Sequence, residues 1–161
     1  MNLAVEAPQW VALLLTVLLL AAAAEDSVRL RISNVAVLLV IVTALIAAFL
    51  VGPKLALWQN VAVFAALLAV GTLMFAAGKL GGGDVKLLAA VGLWFDLKGA
   101  LWMLLDVVLA GGVLAIMIIA LRSLGWSEKM RRRAVILRPD GGIPYGVAIA
   151  AGALIAMALQ R

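Results

Sequence analysis

An aspartate stands between a glycine run and an apolar stretch in Gly81-Gly82-Gly83-Asp84-Val85-Lys86-Leu87-Leu88-Ala89-Ala90. A second, Asp26, follows another apolar stretch, in Glu25-Asp26-Ser27-Val28-Arg29. Ionisable groups in or beside a bilayer core are expensive, so each is a functional candidate by default. Two carboxylates held close together do not both ionise; they share a proton. The ionised one can take a proton from water while the protonated one donates to a carbonyl oxygen. An amide bond is then hydrolysed with no metal and no covalent intermediate. The chain has no Cys and no His. That removes thiol nucleophiles, zinc–thiolate sites, the imidazole base of a rhomboid-like serine protease and the His-Glu-x-x-His of a zinc protease. Asp, Glu, Lys or Tyr must supply any acid–base chemistry, and neither a metal nor a cofactor is expected.

Each candidate also has a plainer reading. An Asp at a helix start is an ordinary cap, and glycines before it supply a flexible turn or a close helix approach. Asp26 could sit in a polar turn whose Ser33 or Asn34 caps the next helix. Its place at a helix C-terminus opposes the macrodipole, so some other group should favour it there. Residue types alone leave Glu25 open beside Asp26, with Asp26 the better candidate. Lys86, two residues after Asp84, either snorkels to the interface or biases the charge state of Asp84. Asp96 and Lys98 read as a loop anchor on the other side. Asp106 lies well inside an apolar stretch, where it could pair with Lys98 or face a wet crevice, too far from the aspartate pair for a direct role.

The surrounding elements follow from composition. Of 161 residues, 67% are hydrophobic, and the mean hydropathy is +1.22. Soluble domains run about 45–50% apolar. The chain is therefore read as one transmembrane domain over 1–161, with no room for a separate soluble domain. Six apolar segments stand out: 10–24, 35–51, 55–77, 85–97, 100–121 and 143–159. Only helices satisfy their backbones within such continuous runs in lipid, and barrel strands would alternate over about ten residues. The expected fold is an all-α, polytopic membrane helix bundle of about six transmembrane helices. Glu6 and the absence of Lys or Arg before residue 10 argue for a retained first helix rather than a signal peptide.

Segment 85–97 is short for a span, and charge bias decides how to count it. If all six cross, Arg29, Arg31, Lys79, Lys86, Arg122, Lys129, Arg131, Arg132, Arg133 and Arg138 share one side, against Lys54, Lys98 and Arg161 on the other. If it does not cross, the split is nearly even. Six crossings are expected, with both termini outside the cytoplasm and Asp26 and Asp84 together at the cytoplasmic boundary. The net charge of +5 is then a matter of topology and anionic lipid, not of nucleic acid. Arg131-Arg132-Arg133 reads as a lipid-facing anchor or a partner-docking run. Trp10, Trp58, Trp94, Trp102 and Trp126 lie near segment ends, as an interfacial aromatic belt predicts.

With these motifs the chain resembles the type IV prepilin peptidases, membrane aspartic proteases of the Gly-x-Gly-Asp kind. Residues 81–90 look like the family's second-aspartate motif, with Gly81, Gly83 and Lys86 as its supporting residues. Asp26 followed by Arg31-Ile32-Ser33-Asn34 looks like the first, except that Ser33 stands where the family commonly has proline. That departure is expected to loosen the start of the second helix. Ile143-Pro144-Tyr145-Gly146 and the residues after it resemble the last helix of the short members from tight-adherence (Flp) pilus systems. The resemblance implies a multi-pass enzyme of the bacterial inner membrane that uses Asp26 and Asp84 to remove the leader from prepilins or pseudopilins at the cytoplasmic face. The loop after the first helix is too short, and lacks the cysteines, for the methyltransferase insertion of longer members, so peptidase activity without N-methylation is expected. A preflagellin-type or other Gly-x-Gly-Asp intramembrane protease is the nearest alternative. A non-catalytic scaffold or transport subunit is the other, although the polar residues Thr43, Gln59, Asn60, Thr72 and Asp106 are too scattered to line a path.

Overall fold

Long apolar runs without internal proline leave the backbone one economical solution in lipid, and the chain takes it. The computed structural model describes residues 1–52, 54–124, 126, 130, 137, 138 and 141–160, and among these it is all helical, with no strand. The helices are α1 (Leu3–Glu6), α2 (Gln9–Arg29), α3 (Asn34–Val51), α4 (Leu57–Ala76), α5 (Gly82–Gly92), α6 (Leu97–Ser123) and α7 (Tyr145–Gln160). The run Arg131-Arg132-Arg133 lies outside the described residues.

Four helices, α2, α3, α4 and α6, are long and apolar enough to cross a membrane. The other two expected crossings are shorter. At 1.5 Å per residue, the 16 residues of α7 and the 11 of α5 reach about 24 Å and 16 Å, against a hydrocarbon core of about 30 Å. These two are nevertheless the most enclosed. α7 packs against α6, α2 and α5, while α5 packs against α4, α3 and α7. Small residues on α7, among them Ala148, Ala150, Ala153 and Ala156, are buried and let its neighbours approach closely. The long helices lie around them and expose apolar side chains such as Leu13, Phe49 and Val108, which lipid tails can cover.

The sequence expectation of a single helix over 85–97 is corrected. The helix starts earlier, at Gly82, and ends at Gly92, where successive turn bonds from Leu93, Trp94 and Phe95 to Ala90, Val91 and Gly92 close it. Trp94 is also corrected. It is not part of an interfacial belt but wholly buried, with its indole N–H donating to the Val40 carbonyl at 3.4 Å. Trp10, Trp58 and Trp102 are exposed near helix ends, as expected.

The space beneath short α5 is filled by the N-terminal residues. The Ala4 N–H donates to the Trp94 carbonyl at 3.0 Å. Buried Asn60 donates to the carbonyls of Met1 and Leu93 at 2.9 and 2.8 Å. Glu6 and Lys54 form an ion pair over the same end. There, too, the amide of Asn2 donates to Gln160 at 2.6 Å, which ties α7's last turn to the N-terminus. Asp96 caps α6 by accepting from the Gly99 N–H at 2.7 Å, so its part of the loop anchor is a helix cap.

Candidate active site

The opposite end of the bundle gathers the residues of interest. Leu15, Leu19, Ala22 and Asp26 fall on one buried stripe of α2, spaced as a single helix face requires. Asp26 therefore continues an apolar face inward, and it is only 4% exposed. The sequence reading ended this helix at residue 24. It runs on to Arg29 and carries Asp26 inside it, a correction that fixes the direction of the carboxylate. Leu30 then stops the helix in a left-handed conformation (φ 50°), with its N–H on the Asp26 carbonyl at 2.8 Å. Positive φ in a branched, non-glycine residue is unusual, and this one sits directly beside the site.

Glu25 takes a different part. Its carboxylate accepts from the Ser33 N–H at 3.2 Å and lies 3.8 Å from Arg29. It braces the turn between α2 and α3. Ser33, standing in place of the family's proline, accepts from the Ala36 N–H at 3.2 Å. The start of α3 is thus capped rather than loosened, an ordinary serine cap.

Asp84 is the third residue of α5 and accepts from the Gly81 N–H at 3.2 Å, half of a capping box. Two glycines bring the two carboxylates together. A Cβ on Gly83 would lie 3.2 Å from the Ile32 side chain and 3.3 Å from its backbone, so glycine lets the start of α5 press onto the α2–α3 turn. A Cβ on Gly146 would lie 2.9 Å from both the Asp26 carboxylate and the Ile32 side chain. Instead, the buried Gly146 N–H donates to Asp26 at 2.7 Å. Gly146 is the second residue of α7, and its N–H is one of the donors that every helix start leaves unpaired. The positive ends of α5 and α7 both face the aspartates, which supplies the favourable partner that Asp26 lacks at the end of its own helix.

Asp26 and Asp84 line one cavity of about 210 Å³, together with Leu30, Arg31, Ile32 and Gly81 to Gly83. Asp84 lies in the first turn of α5, half-buried in the same cavity as Asp26. Lys86 does not line that cavity. It is exposed and donates to the Asn34 side chain at 2.9 Å, tying α5 to the start of α3. Asp106 is absent from the cavity. It sits half-buried on α6 in a separate groove and, among the described residues, pairs neither with Lys98 nor with the aspartates. Sequence reasoning missed the Gly146 donor, the left-handed Leu30 and the Asn34–Lys86 bond. A glycine two residues after a proline at a helix start was the one available signal for Gly146.

The type IV leader peptidase family model matches residues 13–116. The chain belongs to this family. The matched stretch runs from the second turn of α2 well into α6, so it includes both Asp26 and Asp84 and stops short of α7. This leader peptidase family member is a protease by descent, and its long apolar helices make it a multi-pass membrane protein. The comparisons with curated proteins and with solved structures gave no match.

Proposed function

We infer that this protein is an aspartyl endopeptidase that removes the leader from Flp-type prepilins or pseudopilins at the cytoplasmic face of the bacterial inner membrane. The observation that carries the inference is the meeting of Asp26 and Asp84 in one cavity, at the starts of α5 and α7. In this reading the pair holds one proton, which is assigned to Asp84 before the attack. Asp26 takes a proton from water as the water oxygen attacks the peptide carbonyl. Asp84 gives its proton to the carbonyl oxygen. A tetrahedral diol results, and its collapse breaks the C–N bond while a proton passes to the departing amine. Gly146 and Gly81 act as positioning residues, each through one backbone N–H.

Topology supports the cytoplasmic assignment. The α2–α3 turn meets the starts of α5 and α7, and Arg122 at the end of α6 donates to the carbonyls of Gly141 and Gly142 at 2.6 and 3.1 Å. Arg29, Arg31, Lys86 and Arg122 therefore share the aspartate end, and charge bias supports reading it as the cytoplasmic one. The ties of Asn60 to Leu93, and of Asn2 to Gln160, carry α5 with its closing turn, and α7, to the other end. That supports six crossings with both termini outside.

Only residues 30–33 separate α2 from α3, which leaves no room for a methyl-transferring insertion. Intact mass of a co-expressed Flp-type prepilin tests substrate and reaction together. The expected product has lost its leader and carries no added methyl. A preflagellin leader cut in preference to every prepilin leader would reassign the substrate.

A further inference from the structure

A second cavity, of about 450 Å³, runs along the outer face of α6 and α7. Ala110, Val113 and Met117 line it from α6, and Val147, Ala151 and Ile155 from α7, with Asp106 at its deep end. Gly111 lies against Tyr145 and Ala148, and Gly152 against the backbone of Val107, which sets the depth of each residue. Val147 follows directly on Gly146, the donor to Asp26. The shallow end of the groove is therefore level with the aspartates. Asp106 sits near the level of Gly152, six residues deeper along α7, or about 9 Å.

We propose that this groove seats the apolar membrane helix of the leader-bearing substrate, with Asp106 accepting a hydrogen bond from a donor side chain about six residues (roughly 9 Å) beyond the bond to be cut. The proposal rests on the leader peptidase reading above. A segment lying at this depth must satisfy its own backbone, so the occupant is a helix. Val147, next to Gly146, puts the shallow end of that helix at the depth of Asp26 and Asp84. Asp106 is half-buried against apolar neighbours and, among the described residues, has no hydrogen-bond or ion-pair partner. A carboxylate so placed calls for a donor. Lipid tails have none, whereas a substrate helix with one polar residue at the right turn does.

The test places the photoreactive residue benzoylphenylalanine at Val113, at Ala151 and, as a control, at Phe49 on the far face of α3, which is 83% exposed. Each variant is irradiated in membranes holding a Flp-type prepilin. Adducts to the prepilin's apolar helix from 113 and 151, and none from 49, are expected. Asp106→Leu should raise KM for the full-length prepilin about tenfold, the loss of one charge-assisted hydrogen bond, and leave kcat within about twofold. Asp106→Asn, which keeps an acceptor oxygen, should recover most of that loss. Adducts between two copies of the chain, equal yields from 49, no prepilin adduct, or an unchanged KM in Asp106→Leu would overturn the groove assignment. Cross-linking needs no turnover, so the two readings fail separately. Adducts without cleavage by the wild type would count against the aspartyl mechanism and leave the groove in place.

Discussion

At the scale of single residues, two aspartates depend on backbone N–H groups that a side-chain inventory does not show. Asp26 is held by Gly146 and Asp84 by Gly81. Gly146→Ala would put a methyl 2.9 Å from the Asp26 carboxylate. The expected outcome is a kcat lowered about ten- to a hundredfold, with the protein still inserted, because displacing a reacting group by even 1 Å costs on that order. Cleavage kinetics of the purified variant check it. A proton shared by the pair predicts a pH effect. Cleavage should decline toward alkaline pH, where the pair loses that proton. A rate that stays flat as pH rises would contradict the assignment. The sequence was enough to single out both aspartates and to prefer Asp26 over Glu25. Ser33 as a cap of the next helix was also legible, but the Gly146 donor, which reaches Asp26 from a helix start 120 residues away, was not.

At the scale of elements, two short helices at the centre of the bundle carry the site, and longer ones surround them. Glycines 82 and 83 join α5 rather than forming a turn before it, yet the helix still ends at Gly92. Its remaining depth is made up by the 93–96 turn, by α1 and by buried Asn60. None of this was legible locally. Hydropathy reads the apolar run 85–97 as continuous, and Trp94 near its end reads as a belt residue. Only tertiary contacts show the tryptophan turned inward. Asn60, which looked like a scattered polar residue, is the clamp between α4, the N-terminus and the turn after α5. Asn60→Leu leaves two buried carbonyls without their donor and should destabilise the fold by about 1–3 kcal/mol. A lowered melting temperature in detergent, with leader cleavage at low temperature retained, is the expected reading. The helical class and six apolar segments were legible because their composition leaves lipid no alternative. The ends of those segments were not, since α2 gained Arg29 and Asp26 through packing and capping that hydropathy cannot weigh.

At the scale of the whole molecule, the bundle has two chemically distinct ends. One holds Asp26, Asp84 and the starts of α5 and α7. The other is closed by Met1, Asn2, Asn60 and Gln160. The chain has no cysteine, so single cysteines report topology without background. A cysteine at Lys79 should be shielded from a membrane-impermeant maleimide in intact cells, and one at Lys98 should react. The reverse pattern would invert the orientation and move the aspartates away from the cytoplasmic face. The most direct test of the aspartate pair itself is leader cleavage of a Flp-type prepilin by wild type, Asp26→Asn and Asp84→Asn, each shown to be inserted in equal amount. Cleavage by wild type, with a loss of at least a thousandfold in both variants, on the order expected when acid–base groups acting as a unit are removed, is the predicted result. Substantial cleavage by either variant would contradict catalysis by the Asp26–Asp84 pair.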